Sequence, residues 1–394
     1  MELYHKRIHL DTAASTPVDR RVRAVMRPYF DSDYGNPSSI HTPGVVAWRA
    51  VETARAGVAA FLAANPVEVI FTSGGTEANN LAILGLRRGV GHMHIITTTI
   101  EHASVLEPCR ALECEGWRIT YLPVNAEGLI NPKDLAQTIS GDTTLVSIGY
   151  ANNEVGTIQP LREVARFIRR FRKEHDTQFP LFHTDACQAP RFLELNVHEL
   201  GVDLLSLNGG KAYGPKGSGA LYIRKGLTLE PIIYGGGQES GRRSGTANVP
   251  AIVGLAQSLK LCAQLREKER ESLSRLRDYF IKQLLTLPDT SLNGSPTERL
   301  PHNANVSFLG TDSEFVVLNL DAHGVTCSSG SACSAHSKDA SYVVRSLASK
   351  NEQEGERRAR SAVRFTLGRD TTRRDIDRVL RVLPPILARA KTSM

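Results

Sequence analysis

Several short stretches hold the residue types from which an enzyme site can be built. Thr72–Glu77 reads Thr-Ser-Gly-Gly-Thr-Glu, between an apolar run and a helical one. Glycines there let the backbone approach an anion, and the helix that follows offers N–H groups at the positive end of its dipole. The same spelling also fits a plain glycine-rich turn. His183–Gln188 (HTDACQ) places the acid Asp185 near an amide at the end of another apolar run. That suits either a site at the rim of a parallel sheet or a helix N-cap. Ser206–Gly217 (SLNGGKAYGPKG) carries Lys211 among glycines and a proline. A backbone fixed in that way favours an amine held against an electrophile over a solvated loop charge.

Cys327–Cys333 (CSSGSAC) puts a thiol in a small, polar stretch, whereas Cys262 sits in an apolar periodic one. Cys333 is therefore a candidate reactive thiol. The glycine-dense Gly235–Thr246, with Arg242 and Arg243, suits anion contact or a subunit interface. Blander readings fit the other candidates. Cys109 and Cys114 read as core packing, Cys187 as filler beside Asp185, and His92 and His94 as polar residues at a strand edge. A redox pair between Cys327 and Cys333 is the weaker reading of their proximity.

These stretches must be positioned by something regular, and the first half of the chain supplies it. Apolar residues at Val51, Ala54, Val58, Phe61 and Leu62 follow one helix face. Short apolar runs at 67–71, 94–98, 119–124, 144–150, 180–185, 203–208 and 220–224 read as strands. Helical segments at 78–86, 105–115 and 161–175 fall between several of them. Strands that are nearly continuously apolar, alternating with helices, predict a mostly parallel buried sheet with helices on both faces. After Pro250 the pattern changes to a long helical stretch, 252–285, then runs at 305–309, 314–321, 325–327 and 360–367 and a closing helix at 375–390. The expected division is a large α/β domain at 15–255 and a smaller α+β domain from 1–14 and 256–394.

Composition excludes several classes. The 394 residues are 41% hydrophobic and 23% charged, which is ordinary for a soluble globular chain and excludes a disordered or collagen-like one. No apolar run approaches the ~20 residues of a spanning helix, and the N-terminus lacks the apolar core of a signal peptide. A cytoplasmic protein without membrane attachment is expected. The net charge of +7 is spread along the chain, so a solvated surface rather than nucleic-acid binding is expected. Six scattered cysteines without a CxxC pair suit neither a disulfide framework nor structural zinc.

Taken in order, the motifs FTSGGTEANNLAI, IEH at 100–102, ANNEVG, HTDACQ, GGKAYGPKG, RRSGT and SSGSACS resemble the cysteine desulfurases, pyridoxal-phosphate enzymes of aminotransferase class V. The likeness runs from about Leu10 to about Ala390, and SSGSAC resembles the group whose nucleophile lies on a long loop. It implies a fold type I, aspartate aminotransferase-like fold and a homodimer. By the same likeness Lys211 carries the cofactor and takes the Cα proton, and Asp185 faces the pyridine nitrogen. Gln188 bonds the phenolic oxygen, and His102 stacks on the ring and serves as an acid/base. Gly75 and Thr76 hold the phosphate, with Thr246 reaching over from the other subunit. Arg364, helped by Asn153, holds the substrate carboxylate in a bidentate pair. Cys333 takes the sulfur of L-cysteine as a persulfide and hands it to an acceptor protein such as an iron–sulfur scaffold or a thiolation pathway, leaving L-alanine. His102 is the candidate for activating that thiol.

Two departures qualify the likeness. The family spells Ser-Gly-His-Lys around the cofactor lysine, and here the residues are Asn208-Gly-Gly-Lys211. Asn208 still offers an amide donor but Gly210 only backbone. One or two charge-assisted bonds worth roughly 1.5–3 kcal/mol each are then missing, and looser cofactor retention is expected unless another residue compensates. The resemblance further implies that relatives often carry, beyond the position of Met394, a longer tail that docks a scaffold, so the acceptor is left open as an expectation. Other readings are a different class V enzyme, such as a selenocysteine lyase or aminotransferase, and a weakly catalytic sulfur carrier.

Overall fold

The computed structural model describes residues 7–87, 93–330, 340–348 and 351–392. Cys333 and His92 lie outside the described residues. Strand β1 (Ile8–His9) opens the chain. Then β2 (Val69–Thr72), β3 (His94–Thr98), β4 (Arg118–Leu122), β5 (Thr143–Ser147), β6 (Leu181–Asp185), β7 (Leu204–Asn208) and β8 (Gly219–Ile223) form one sheet. Its order is β2-β8-β7-β6-β5-β3-β4. All neighbours are parallel except β8, which runs antiparallel to both β2 and β7.

The central strands are buried on both faces, which is why they read as continuous apolar runs. Successive residues enter opposite cores, as the pleat demands. Val146, Phe182 and Leu205 pack on one side, and Leu145, Leu181 and Leu204 on the other. At the opposite edge from the site, Asp203 ties three strands together. It accepts from Phe182 N at 2.8 Å and Arg224 Nε at 2.6 Å, and it pairs with Arg172.

The helix Thr42–Leu62 starts earlier than its apolar spacing indicates, because His41 caps Gly44 N and Pro43 fits the first turn. The run at 67–71 divides, with a 3-10 turn at Pro66–Glu68 before β2 begins at Val69. The long helix Val249–Leu284 is continuous. Its Leu255 and Leu259 pack in the large-sheet core, and its Leu273, Phe280 and Leu284 in a second core.

That second core is built on β9 (Thr290–Leu292), β10 (Asn303–Phe308), β11 (Val325–Thr326), β12 (Ser328–Ser329) and β13 (Ala362–Thr366). Four of these form an antiparallel sheet ordered β12-β13-β10-β9, while β11 pairs in parallel with β1. The first residues thus join the C-terminal core, where Ile8 and Leu10 are buried.

Two histidines lie inside the large sheet. His183 bridges three strands, with Nδ1 2.8 Å from Ser147 Oγ and Nε2 3.1 Å from Ser206 Oγ. His94 is no edge residue. It is fully buried between Thr143 and Thr120, each 2.9 Å away. Loss of hydration pushes both rings down to about 4 from 6.5. Folded-state values below the unfolded one mean that this stability is complete above pH 6.5 and lost as pH falls toward 4. Urea unfolding at about pH 7.5 and about pH 5 should therefore show a smaller acid loss for His183→Asn than for the parent. Equal losses would refute the assignment.

Candidate active site

Because β2 and β7 both run antiparallel to β8, they point the same way as the parallel strands. Thr72 and Asn208, the last residues of β2 and β7, both register with Gly219 of β8. A Cβ on Gly219 would lie 2.6 Å from Gly74 Cα, so the chain passes there only as glycine. The segments after β2, β3, β5, β6 and β7 consequently meet at one edge of the sheet, the carboxyl edge where α/β folds bind ligands. A cavity there is lined by Gly75, Thr76, His102, Asn153, Asp185, Gln188, Asn208, Lys211 and Arg364. Thr246 lies outside this cavity and is exposed.

The helix Gly75–Leu84 opens at Gly74 with no side-chain cap, leaving its first N–H groups for an anion. Gly75 packs against Cys187, whose Sγ would lie 2.4 Å from a Cβ at that position. Asn208 accepts from Gly210 N at 2.9 Å through its oxygen. The amide nitrogen, its donor end, lies 3.6 Å from where a Gly75 Cβ would be. At Gly210 a Cβ would stand 3.5 Å from Lys216 Cγ. Lys216 joins Gly74, Thr76, Asn208 and Gly210 around a hollow beside the helix terminus.

Deeper in, Asp185 accepts from Cys187 N at 2.9 Å and Asn79 Nδ2 at 2.8 Å. Lys211 Nζ donates to Ala14 O at 2.6 Å, and Gln188 Nε2 to Ala13 O at 3.0 Å. Arg364 is 2% exposed. Its Nη1 donates to Asn153 O at 3.0 Å and its Nη2 to Asp11 Oδ1 at 2.8 Å, while its Nε is buried without a partner. A guanidinium lining the cavity has the charge and the spare Nη hydrogens to meet a carboxylate. An uncapped helix terminus, an acceptor-only acid, a primary amine and this guanidinium together fit pyridoxal phosphate and an amino acid.

Sequence reasoning passed over Glu101, Glu154, Asn79, Ser104 and Asp11, although the first four lie in or beside quoted motifs. Their importance comes from burial, which spelling does not record. Burial pushes the Glu101 carboxyl up to about 7, despite bonds from Gly149 N and Thr98 Oγ1. Glu154 is also raised by burial, and its Oε2 accepts from Ser341 Oγ at 2.6 Å.

Among the thiols, burial and then Asp185 push Cys187 well above the usual range, and burial pushes Cys262 up to about 12. Burial likewise raises Cys327. A thiol that stays protonated is a poor nucleophile. Cys109 is buried as expected, but Cys114 is exposed at the helix end rather than packed in a core.

Comparison with known proteins agrees with this geometry. The aminotransferase class-V family model matches residues 8–379. The cysteine desulfurase IscS of Dictyoglomus turgidum is 45% identical, over 98% of this chain and 96% of its own. A solved NifS-like protein superposes with a TM-score of 0.88 at 34% identity, covering 97% of this chain and 99% of its own. A structure described as SspA in complex with cysteine gives 0.78 at 35% identity, over 91% and 98%. The chain belongs to the aminotransferase class-V family and, within it, to the cysteine desulfurases.

Proposed function

We propose that the chain removes sulfur from L-cysteine, using pyridoxal phosphate, and yields L-alanine and a persulfide on Cys333 for an acceptor protein. One observation carries the reading: an amine, an acid, an imidazole and a guanidinium line a single cavity. The solved relative described with cysteine supports the choice of substrate.

Gly75, Thr76 and Asn208 would hold the cofactor phosphate, Asp185 the ring nitrogen, Gln188 the phenolic oxygen, and Lys211 the carbonyl carbon. When bound, the cofactor supplies an electron sink for negative charge developing at Cα. Arg364 and Asn153 orient the substrate carboxylate, and the Lys211 amine takes the Cα proton. The Cys333 thiolate attacks the substrate sulfur. A sulfur–sulfur bond forms as the Cβ–S bond breaks, its electron pair passes to the carbon fragment, and protonation of that fragment gives alanine.

The unit works as a cytoplasmic homodimer, divided into a larger part at 15–255 and a smaller one from 1–14 and 256–394. Exposed Phe30, Tyr34, Ile40 and Trp48 fall within residues 30–48 of the chain and support an interface with a second copy. In the dimer Thr246 would reach the partner's phosphate site. The described cysteines are free thiols, in keeping with a reducing compartment. Trp48→Glu should shift the sedimentation of the protein toward the monomer; an unchanged dimer would place the interface elsewhere.

The decisive experiment records the visible spectrum of the holoprotein before and after L-cysteine, with alanine and persulfide quantified. Cys333→Ser should keep the cofactor band and its response to cysteine while persulfide transfer falls by about a hundredfold or more. Undiminished transfer overturns the role of Cys333 and favours another class V activity. A protein that shows no band even with added pyridoxal phosphate favours a sulfur carrier. A second titration tests Lys216 as the compensating cation at Gly210. Lys216→Ala should weaken cofactor binding about tenfold, the low end for a charge-assisted contact near solvent.

A further inference from the structure

The polar groups joining Asp185 to His102 have a direction that can be read atom by atom. Asn79 is fully buried, and its Nδ2 donates to Asp185 Oδ2 at 2.8 Å and to Ser104 Oγ at 2.8 Å. An ionised carboxylate only accepts, so the amide must turn its NH2 group toward Asp185. That orientation leaves Asn79 Oδ1 buried without a partner, a cost accepted for two engaged donors. Ser104 Oγ thus accepts a hydrogen bond from Asn79 and donates its own hydroxyl hydrogen to His102 Nδ1, 2.8 Å away.

A second donor meets the same nitrogen. His102 is the N-cap of the helix Ala103–Cys114, and the Ser104 backbone N–H donates to Nδ1 at 3.0 Å. A backbone amide cannot reverse its role. With two donors aimed at it, Nδ1 cannot carry a proton.

We propose that Asn79 and Ser104 are positioning residues that hold His102 as a neutral ring with its proton on Nε2. The inference rests on the cavity being the active site. In this state Nε2 of His102 is a hydrogen-bond donor. The ring takes up a proton only if Nδ1 gives up both the serine hydroxyl and the helix cap. His102 is then not the base that activates Cys333. The role expected of His102 from resemblance changes accordingly, from acid/base to oriented donor.

The test is a long-range proton–nitrogen correlation spectrum of 15N-histidine-labelled holoprotein near neutral pH, with His102 assigned by its disappearance in His102→Gln. The expected pattern is an acceptor-type Nδ1 and a protonated Nε2. A protonated Nδ1, alone or with Nε2, overturns the proposal. Asn79→Asp removes the donor facing Ser104 and turns the serine hydroxyl toward residue 79, so Nδ1 should keep the helix cap, lose the hydroxyl and shift toward the value of a free acceptor nitrogen. Ser104→Ala should abolish that response. A response that survives Ser104→Ala is a through-space effect of the added charge, and no response at all removes Asn79 from the relay; either result overturns the positioning role. These spectra need no turnover. Loss of desulfuration with the expected pattern counts against the proposed function alone, and the wrong pattern in an active enzyme counts against this inference alone.

Discussion

The close passage of two backbones at Gly219 and Gly74 sets the geometry of the site. At that point a Cβ would overlap Gly74 Cα at 2.6 Å and Leu207 O at 2.7 Å. Without the contact, β8 could not sit antiparallel between β2 and β7 with Thr72 and Asn208 both beside Gly219. The sheet would then no longer deliver the Ser73–Thr76 turn and the Asn208–Lys211 turn to one place. The anion cradle and the amine are therefore consequences of a single steric allowance that only glycine offers. The rest of the cavity follows from the parallel strands, whose carboxyl ends lie along the same edge.

Within that frame the site is organised by fixed hydrogen-bond directions more than by charge alone. Asp185 is held from two sides by donors that cannot reverse, one a backbone amide and one an amide side chain turned by the carboxylate itself. Asn152 plays a comparable part nearby. Its Nδ2 donates to Ile100 O at 2.8 Å, while its Oδ1 accepts from Glu154 N and Val155 N at 2.9 Å. The segment after β3 is thereby fastened to the segment after β5. Buried networks of this kind carry high stakes, because each unmade bond in a low-dielectric interior costs about 1–3 kcal/mol. Satisfied, they rigidify the elements that carry the reacting groups.

Much of the frame was legible in the residues. Continuous apolar runs marked each strand of the large sheet to within a few positions, since a strand buried on both faces has no polar side to show. The direction of β8 was not legible, because periodicity carries no sense of direction and a strand reads alike both ways. Nine candidate residues from separate motifs line one cavity, a convergence that resemblance could anticipate and local pattern could not. His94 misled because an HxH pair without a nearby acidic or cysteine ligand carries no sign of burial, while its actual partners, Thr120 and Thr143, come from adjoining strands. Asn79 lay inside a quoted motif without drawing notice. Its partners Ser104 and Asp185 are 25 and 106 residues away, and only the fold brings them within 2.8 Å.

Arg364 shows how far pattern reaches and where geometry must take over. Its type and place suit a carboxylate clamp, yet two of its three nitrogens already have partners within the chain. Asp11 holds Nη2 at 2.8 Å, which keeps a guanidinium that is only 2% exposed from standing as an uncompensated buried charge. A bidentate pair needs two adjacent donors. Nε is closed to solvent, and Nη1 and Nη2 each give one hydrogen to Asn153 O and Asp11. Each Nη carries two N–H groups, so a carboxylate would take the second hydrogen of each beside Asp11 and Asn153 O rather than in their place. Asp11 thus does two things at once: it offsets the buried charge of Arg364, and it fixes the plane of the guanidinium beside the cavity.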